Sequence, residues 1–342
     1  MNLADLNKIA LAMVTPGKGI LAADESSGTI KKRFDAIKVE STEDSRRDYR
    51  EMLFRSTEAM SKYISGVILY DETIWQNAKD GTPLVKLIEA SGAIPGIKVD
   101  EGTQALPNCP GELVTIGLDK LAERLKKYYE RGARFAKWRA VIDIAGGNIP
   151  SMTAIHVNAH ALARYAALCQ AAQIVPIVEP EVLMDGDHDI DRCYEVTSRV
   201  LNKTFQELRV QRVALEGMIL KPNMAIAGKK SDKQASVEEV AEKTIRLLKA
   251  CVPAAVPGIA FLSGGQSDED ATAHLNAMNR IGNLPWRLTF SYGRALQAAP
   301  QKAWSGKAEN VAAGQRAFSH RARMNALASK GEWETGLEKK AA

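Results

Sequence analysis

Three lysines close apolar stretches of the chain, where a charged side chain needs a chemical reason. They are Lys98 in IPGIKVD, Lys137 in ARFAKWRAVI and Lys221 in GMILKPNM. A buried ammonium is costly unless it is paired, deprotonated or used in a reaction. A neighbouring cation and partial burial disfavour the ammonium form, so a crowded lysine can attack a carbonyl as a neutral amine and form a Schiff base. The residues alone leave the choice among the three lysines open.

Carboxylates close other apolar runs and supply the acid/base groups that such chemistry requires. Cleaving a carbon–carbon bond β to an iminium needs a base for a hydroxyl proton, and imine formation needs proton transfer. The candidates are Asp24, Glu179 and Glu181. Because side chains alternate along a strand, Glu179 and Glu181 share a face, as do Lys137 and Arg139. For any single residue, an ion pair that only supports the fold is an equally good interpretation.

Two glycine-containing turns predict an anion site. In FLSGGQSDEDA a strand ends at Ser263, and Gly264 and Gly265 let backbone N–H groups approach a ligand before a helix begins. In FSYGRA, Gly293 and Arg294 follow the next strand and supply the other half of a phosphate site. The alternative for the paired glycines is a tight turn without a ligand.

A second anion site is predicted after the first strand, in DESSGTIKKRF. The hydroxyls and cations there would hold a phosphate on the opposite rim, and they are Ser26, Ser27, Thr29, Lys32 and Arg33. The alternative is a helix capped by Ser27 or Thr29, with residues 31–33 on a solvated face. That alternative suits Lys31 better than Arg33.

The elements that must position these residues alternate between strand and helix. Eight apolar, β-rich runs lie near 18–24, 65–72, 94–100, 133–142, 174–182, 217–224, 258–265 and 287–293. Helix-period stretches lie between them at 42–60, 118–131, 153–170, 191–209, 237–250 and 268–281. This α/β pattern predicts a (β/α)8 TIM barrel forming a single domain over 1–342, with an N-terminal helix, a C-terminal helical tail after about Ala312, and mobile last residues. A doubly wound sheet is disfavoured because the turn after the first run, AADESSGT, contains one glycine, Gly28.

No catalytic metal or cofactor is expected. His156 and His160 have i, i+4 spacing, but HVNAH lacks a glutamate base and lies on a crossover helix. DGDHD, 185–189, is interpreted as a helix N-cap cluster. The four cysteines lie far apart and without a CxxC pair, so reduced thiols are expected.

Charge and hydropathy restrict the partners. The 46 basic and 41 acidic residues are mixed along the chain and give a net charge of +5, which disfavours nucleic acid and leaves a local site for an anionic small molecule open. No run reaches 18 apolar residues and the N-terminus lacks a signal-peptide core, so we expect no membrane partner and a cytoplasmic location.

The motifs together resemble one known family. ILAADES, GVILYDETI, GIKVDEG, FAKWRAV, IVPIVEPEVL, DGDHD, LKPNM, FLSGGQS and LTFSYGRALQ occur in order over about 15–305 and resemble class I fructose-bisphosphate aldolase. The resemblance implies a (β/α)8 barrel, usually tetrameric. It also implies reversible cleavage of fructose 1,6-bisphosphate to dihydroxyacetone phosphate and glyceraldehyde 3-phosphate without a metal.

The resemblance also implies a role for each matching residue. Lys221 becomes the Schiff-base nucleophile, Glu179 the acid/base group of imine formation with Glu181 in support, and Asp24 the base in bond cleavage. Lys137 polarises and positions the substrate, while Arg139 and Lys98 line the substrate channel. The phosphate of the dihydroxyacetone half is assigned to Ser263, Gly264, Gly293 and Arg294, and the other phosphate to Ser26, Thr29 and Arg33. Thr29 stands where the family is expected to have serine.

One departure separates this chain from animal members. Those end in a tyrosine that assists proton exchange, whereas this chain ends GLEKKAA and its last tyrosine is Tyr292. The shorter tail resembles a bacterial member. A catalytically inactive barrel with a binding or structural role and a metal-dependent aldolase remain as alternatives. The preference among fructose 1,6-bisphosphate, fructose 1-phosphate and sedoheptulose 1,7-bisphosphate stays open.

Overall fold

Eight parallel strands close into a barrel in a computed structural model that describes residues 2–340, with the side chain of Lys340 left out. The barrel strands are β1 Gly19–Ala23, β2 Ile64–Leu69, β3 Ile94–Lys98, β6 Phe135–Ile142, β7 Val175–Val182, β8 Ile219–Leu220, β9 Gly258–Phe261 and β10 Arg287–Tyr292. Their order around the barrel is β1-β10-β9-β8-β7-β6-β3-β2. A hairpin of β4 Thr103–Ala105 and β5 Leu113–Thr115 lies outside it. The predicted TIM barrel is confirmed, and each of the eight predicted runs overlaps one barrel strand.

Helices cover the barrel. They are α1 Leu3–Met13, α2 Ser27–Ala36, α3 Glu43–Phe54, α4 Thr57–Lys62, α5 Asp71–Trp75, α6 Leu84–Ala90, α7 Leu121–Arg131, α8 Met152–Ala171, α9 Ile190–Val210, α10 Val237–Cys251, α11 Asp268–Ile281, α12 Arg294–Trp304 and α13 Val311–Ala328. Short 3-10 helices occupy Leu215–Gly217, Ala308–Asn310 and Thr335–Lys340. Each helix in the described chain falls short of the length or apolarity needed to cross a bilayer.

The stretch predicted as one helix over 42–60 is two helices. α3 ends at Phe54 and α4 begins at Thr57. The hydroxyl of Ser56 donates to the carbonyl of Met52 at 3.0 Å. At the break, a side-chain hydroxyl therefore bonds to a backbone carbonyl of the preceding helix. The break lets α4 lead directly into β2.

The barrel interior is filled by large side chains that face small ones. Phe135 of β6 is fully buried, and a Cβ at Gly96 on the neighbouring strand β3, or at Gly66 on β2 beyond it, would collide with its ring. Leu6 and Met13 of α1 are fully buried and belong to the same apolar cluster as Phe135. Helix α1 therefore closes the N-terminal end of the barrel. Catalytic residues are expected at the opposite end, where the strands have their carboxyl ends.

The chain after α13 folds back as an anchored segment. Glu338 accepts hydrogen bonds from Arg321 at 2.6 Å and from the indole nitrogen of Trp333 at 3.0 Å. Burial opposes ionisation of Glu338, but Arg321 outweighs it and lowers the pKa of that carboxyl. The predicted mobile end falls partly outside the described residues, because Ala341 and Ala342 are not among them.

Candidate active site

One cavity of about 1010 Å³ opens at the carboxyl ends of the barrel strands. The fourteen residues to which the resemblance gives a role line it: Asp24, Ser26, Thr29, Arg33, Lys98, Lys137, Arg139, Glu179, Glu181, Lys221, Ser263, Gly264, Gly293 and Arg294. Ser27 and Lys32, the other candidates of the second anion site, are exposed and do not line it. The strand alternation explains this convergence, because residues two apart on β6 and β7 point to the same side.

Glu179 lies between two lysines at the bottom of the cavity. Its Oε1 is 3.2 Å from Nζ of Lys221, and its Oε2 is 3.5 Å from Nζ of Lys137. The three side chains are about 95% buried. One carboxylate therefore contacts both lysines in a site with little water.

Asp24 and Lys137 form a close ion pair at the centre of the site, with 2.6 Å between Oδ2 and Nζ. Burial alone would raise the pKa of Asp24, but the ammonium groups of Lys137 and Lys221 outweigh it and lower the pKa to about 2. Burial alone would lower the pKa of Lys137, but Asp24 and Glu179 outweigh it and raise the pKa above the ordinary value. Asp24 is therefore a carboxylate, and Lys137 an ammonium, over the whole physiological range.

A second layer of charge surrounds this core. Arg139 donates from Nε to Glu181, and this pairing outweighs burial and raises the pKa of the guanidinium. Lys98 Nζ lies 2.6 Å from a carboxylate oxygen of Asp100 and donates to the backbone carbonyl of the same residue at 2.8 Å. Asp100 also accepts from the backbone N–H of Arg139, so it ties the end of β3 to β6.

Asn223 fixes the strand end that carries Lys221. Its Oδ1 accepts from the N–H of Val182 at 3.0 Å, and its amide nitrogen donates to Thr197 at 3.1 Å. The backbone N–H of Lys221 donates to the carbonyl of Val178 at 2.8 Å. The two-residue strand β8 is thus tied to β7 on both sides of the lysine, which fixes where Nζ can reach.

The predicted anion turn after β9 has the geometry of a ligand-binding turn. Ser263 is buried, and Gly264 has φ of +56°, a conformation that side-chain-bearing residues rarely adopt. Across β10, Gly293 is the N-cap residue of α12 and Arg294 its first residue. The positive end of that helix and the Arg294 guanidinium favour an anion at this edge.

The second predicted anion group, Ser26, Thr29 and Arg33, does not lie on the opposite rim. β1 pairs with β10 to close the barrel, so α2 follows a strand adjacent to Gly293. A Cβ at Gly293 would lie 3.7 Å from Nη2 of Arg33. The expected separation was wrong because the first and last strands of a closed barrel are neighbours.

The local details of α2 also differ from the sequence expectation. Ser26, rather than Ser27 or Thr29, is the N-cap, and its hydroxyl accepts from the N–H of Thr29. Lys31 pairs with exposed Asp35, as expected of a solvated face. Arg33 Nη1 instead lies 2.5 Å from Oε1 of buried Glu25 at the cavity wall.

Sequence reasoning missed further residues of the cavity wall, among them Glu25, Asp100 and Ser291. Glu25 immediately follows Asp24 and Asp100 lies two residues after Lys98, both predicted site residues at strand ends, and that position was an available signal. Ser291 in FSYGRA is 1% exposed, and its hydroxyl has no hydrogen-bond partner within residues 2–340. Nothing in the sequence distinguished Ser291 from an ordinary strand serine.

His156 and His160 lie away from the cavity, on α8. His160 Nδ1 is 3.2 Å and His156 Nδ1 3.6 Å from the carboxylate of Glu207, which also contacts Lys203 at 3.0 Å. In the part of the chain that the structure describes, no group of three or more His, Cys, Asp or Glu residues is arranged to hold a metal. Asp189 caps α9 through the N–H of Arg192, as the DGDHD cluster predicted.

Comparison with known proteins agrees with this geometry. The family described as "Fructose-bisphosphate aldolase class-I" matches residues 5–342. A protein of Xanthomonas campestris pv. campestris called "Probable fructose-bisphosphate aldolase class 1" is 58% identical over 335 residues, covering 98% of this chain and all of that protein. "Fructose-bisphosphate aldolase 4, cytosolic" of Arabidopsis thaliana is 54% identical over 94% of this chain and 81% of its own length.

A solved structure shares the fold closely. The fructose-bisphosphate aldolase from Plasmodium falciparum, in complex with TRAP and a small molecule inhibitor, superimposes with a TM-score of 0.96 at 49% identity, covering 98% of this chain and 96% of that one. The chain belongs to the class-I fructose-bisphosphate aldolase family. It is a lyase that reversibly cleaves fructose 1,6-bisphosphate to dihydroxyacetone phosphate and glyceraldehyde 3-phosphate, and class I enzymes do this through a lysine Schiff base.

Proposed function

We propose that Lys221 is the lysine that forms the Schiff base in this chain. The supporting observation is how the three candidate lysines are paired. Lys137 is kept as an ammonium by Asp24 and Glu179, and Lys98 contacts both the carboxylate and the carbonyl of Asp100. Lys221 instead contacts Glu179, a carboxylate that can accept the proton an attacking amine must lose. The position of Glu179 between Lys137 and Lys221 is the observation on which the assignment of Lys221 rests.

Imine formation follows from this arrangement. Nζ of Lys221 attacks the C2 carbonyl of the ketose, Glu179 carries protons between the nitrogen and the developing hydroxyl, and water leaves as the C=N bond forms. The cationic Lys137 polarises the reacting oxygen. Glu181 pairs with Arg139 and keeps it in place beside Glu179. Glu181, Arg139 and Lys98 all line the channel.

Carbon–carbon cleavage uses Asp24. Its pKa of about 2 keeps it ionised, so it can accept the proton of the C4 hydroxyl as the C3–C4 bond breaks. The electron pair of that bond moves to the iminium and gives an enamine on Lys221, while glyceraldehyde 3-phosphate departs. Protonation of the enamine and hydrolysis of the imine then release dihydroxyacetone phosphate.

The two phosphates bind at neighbouring positions of the rim. Ser263, Gly264, Gly293 and Arg294 hold the phosphate of the dihydroxyacetone half, and Ser26, Thr29 and Arg33 hold the other. In support, the first set combines backbone N–H groups, a helix N-terminus and a guanidinium, which together suit a dianion. Lys98 faces the same cavity from β3.

Further properties follow from family membership and the residues present. We infer a reaction without a metal or other cofactor, a cytoplasmic location in keeping with the name of the Arabidopsis relative, and a single domain over 1–342. We also infer a homotetramer and sugar-phosphate substrates, with sedoheptulose 1,7-bisphosphate as a second substrate. Tyr292 is buried, donates to the carbonyl of Ala271 at 2.8 Å and does not line the cavity, so we assign it no role in the reaction.

Borohydride trapping tests the assignment. The protein is incubated with dihydroxyacetone phosphate, reduced, digested and mapped by mass spectrometry, with Lys221→Met and Lys137→Met alongside. We expect an adduct on the peptide containing Lys221 in the wild type and none in Lys221→Met. An adduct on Lys137, or no adduct at all, would overturn the proposal, and loss of activity in a chelator would favour a metal-dependent reaction.

A further inference from the structure

Lys229, on the loop between β8 and α10, lies across the anion turn that follows β9. A Cβ at Gly265 would collide with Cε and Nζ of Lys229, so the lysine side chain runs directly over that glycine. Both residues line the cavity. Gly265 has an ordinary φ, so the contact with Lys229, rather than backbone strain, is what a side chain at this position would meet.

The donors at this turn are held by a two-residue segment that follows β7. Nζ of Lys229 lies 2.7 Å from Oδ1 of Asp185, and the N–H of Gly265 donates to the sulfur of Met184 at 2.8 Å. The N–H of Lys229 also donates to the carbonyl of Met184 at 2.7 Å. A carboxylate and a thioether thus occupy two donors of the kind that a phosphate binds.

We propose that Lys229 is a specificity-determining residue that binds the substrate phosphate at the turn formed by Ser263, Gly264 and Gly265. Asp185 holds its ammonium beside the turn until the phosphate replaces the carboxylate. A thioether sulfur is a weak acceptor, so the N–H of Gly265 gains a stronger partner when a phosphate oxygen replaces Met184.

The exchange is feasible because the ion pair is exposed to solvent. The side chains of Lys229 and Asp185 are 38% and 60% exposed, and exposed pairs contribute little to stability. A phosphate dianion already held by Arg294 and the backbone competes well against one solvated carboxylate. The inference rests on the proposed function, because it assigns a further cation to the phosphate site described there.

Opposite signs from two substitutions separate this role from a structural one. Inorganic phosphate is titrated by calorimetry into the wild type, Lys229→Met, Asp185→Asn and the control Lys230→Met, whose lysine is exposed on the same loop and outside the cavity. We expect about tenfold weaker binding in Lys229→Met, the low end for a charged hydrogen bond, about threefold tighter binding in Asp185→Asn, and no change in Lys230→Met. Lys229→Arg should restore most of the affinity.

A purely structural ion pair would give a different pattern. Breaking it from either side would change phosphate affinity in the same direction, and that result would overturn the inference. So would an affinity in Lys229→Met equal to that of the wild type.

Trapping over a range of dihydroxyacetone phosphate concentrations up to saturation distinguishes this inference from the assignment of Lys221. Lys229→Met should still give the Lys221 adduct, with a half-saturating concentration raised about tenfold. A wild type without that adduct would refute the assignment of Lys221, whereas the phosphate titration would still report on Lys229. An adduct formed with unchanged half-saturation in Lys229→Met would refute the role of Lys229 alone.

Discussion

Replacing Glu179 by glutamine removes one charge from the centre of the site and nearly nothing else. The amide has the same shape, and its oxygen can still accept from Lys221 at the present 3.2 Å. What is lost is the ability to take up a proton and the negative charge shared by Lys221 and Lys137. The substitution therefore tests proton transfer with little change of packing.

The catalytic effect should be large. A positioned general acid/base contributes about 10²- to 10⁴-fold, so cleavage should slow by that factor, equal to about 3–5 kcal/mol of barrier. The effect on stability should also be substantial. Coulomb's law at an effective dielectric constant of about 20 gives about 5 kcal/mol for Glu179 and Lys221, and removing one partner of a buried pair leaves the other charge uncompensated, so we expect a loss of about 3–5 kcal/mol.

Two assays separate these effects. Single-turnover borohydride trapping measures the rate at which the Lys221 adduct forms, and urea unfolding measures stability. Glu207→Gln is the matched control, because Glu207 is also a buried glutamate that contacts a lysine, Lys203, but it lies on α9 outside the cavity. The control should lose stability and keep the wild-type trapping rate.

A trapping rate in Glu179→Gln within about threefold of the wild type would refute the reasoning, because Glu179 would then make no general acid/base contribution to the rate. Equal rate losses in Glu179→Gln and Glu207→Gln would also refute it. That outcome would assign the effect to the fold rather than to proton transfer.

Three further outcomes follow from the same structure. Lys221→Met should abolish cleavage while the fold survives, because methionine suits a side chain that is 5% exposed; turnover like that of the wild type would contradict this. Asp24 has a folded pKa of about 2 against an ordinary 3.8, so it stabilises the fold above pH 4 and that contribution, about 2 kcal/mol, disappears as the pH falls toward 2. Urea unfolding from pH 6 to 3 should therefore show a weaker pH dependence in Asp24→Asn than in the wild type, and identical slopes would disprove the pairing. Phe135→Ala should cost about 3–5 kcal/mol of unfolding free energy and Phe135→Leu clearly less, as measured by urea unfolding, and equal costs would contradict the packing against Gly66 and Gly96.

The sequence predicted the barrel well because its signal is local. Each strand is a short apolar run, and the side chains at its carboxyl end must meet at one rim once the barrel is assumed. Elements without a strong period were missed, among them the hairpin of β4 and β5 and the short helices α5 and α6. The helix break at Ser56 was missed because it depends on one hydroxyl bonded to a backbone carbonyl.

Much of the cavity lining was predictable from the sequence, but the pairing of its charged side chains was not. Lys98, Lys137 and Lys221 are equivalent by spacing, and what distinguishes them is which carboxylate each contacts across the barrel. That Asp24 meets Lys137, and that Asp100 meets Lys98, depends on register between strands far apart in sequence. The neighbourhood of Arg33 and Gly293 likewise depends on closure between β1 and β10.

The packing of α1 against the barrel bottom leaves the products to depart through the opposite end. Among the described residues, Leu6, Met13 and Phe135 fill that end with fully buried side chains. Substrates and products therefore enter and leave through the opening at the carboxyl ends of the strands. In the proposed mechanism, the aldehyde fragment is free once its bond breaks, whereas the other three carbons stay covalently bound to Lys221. The aldehyde must leave before the tethered fragment, and in the reverse direction it must arrive second.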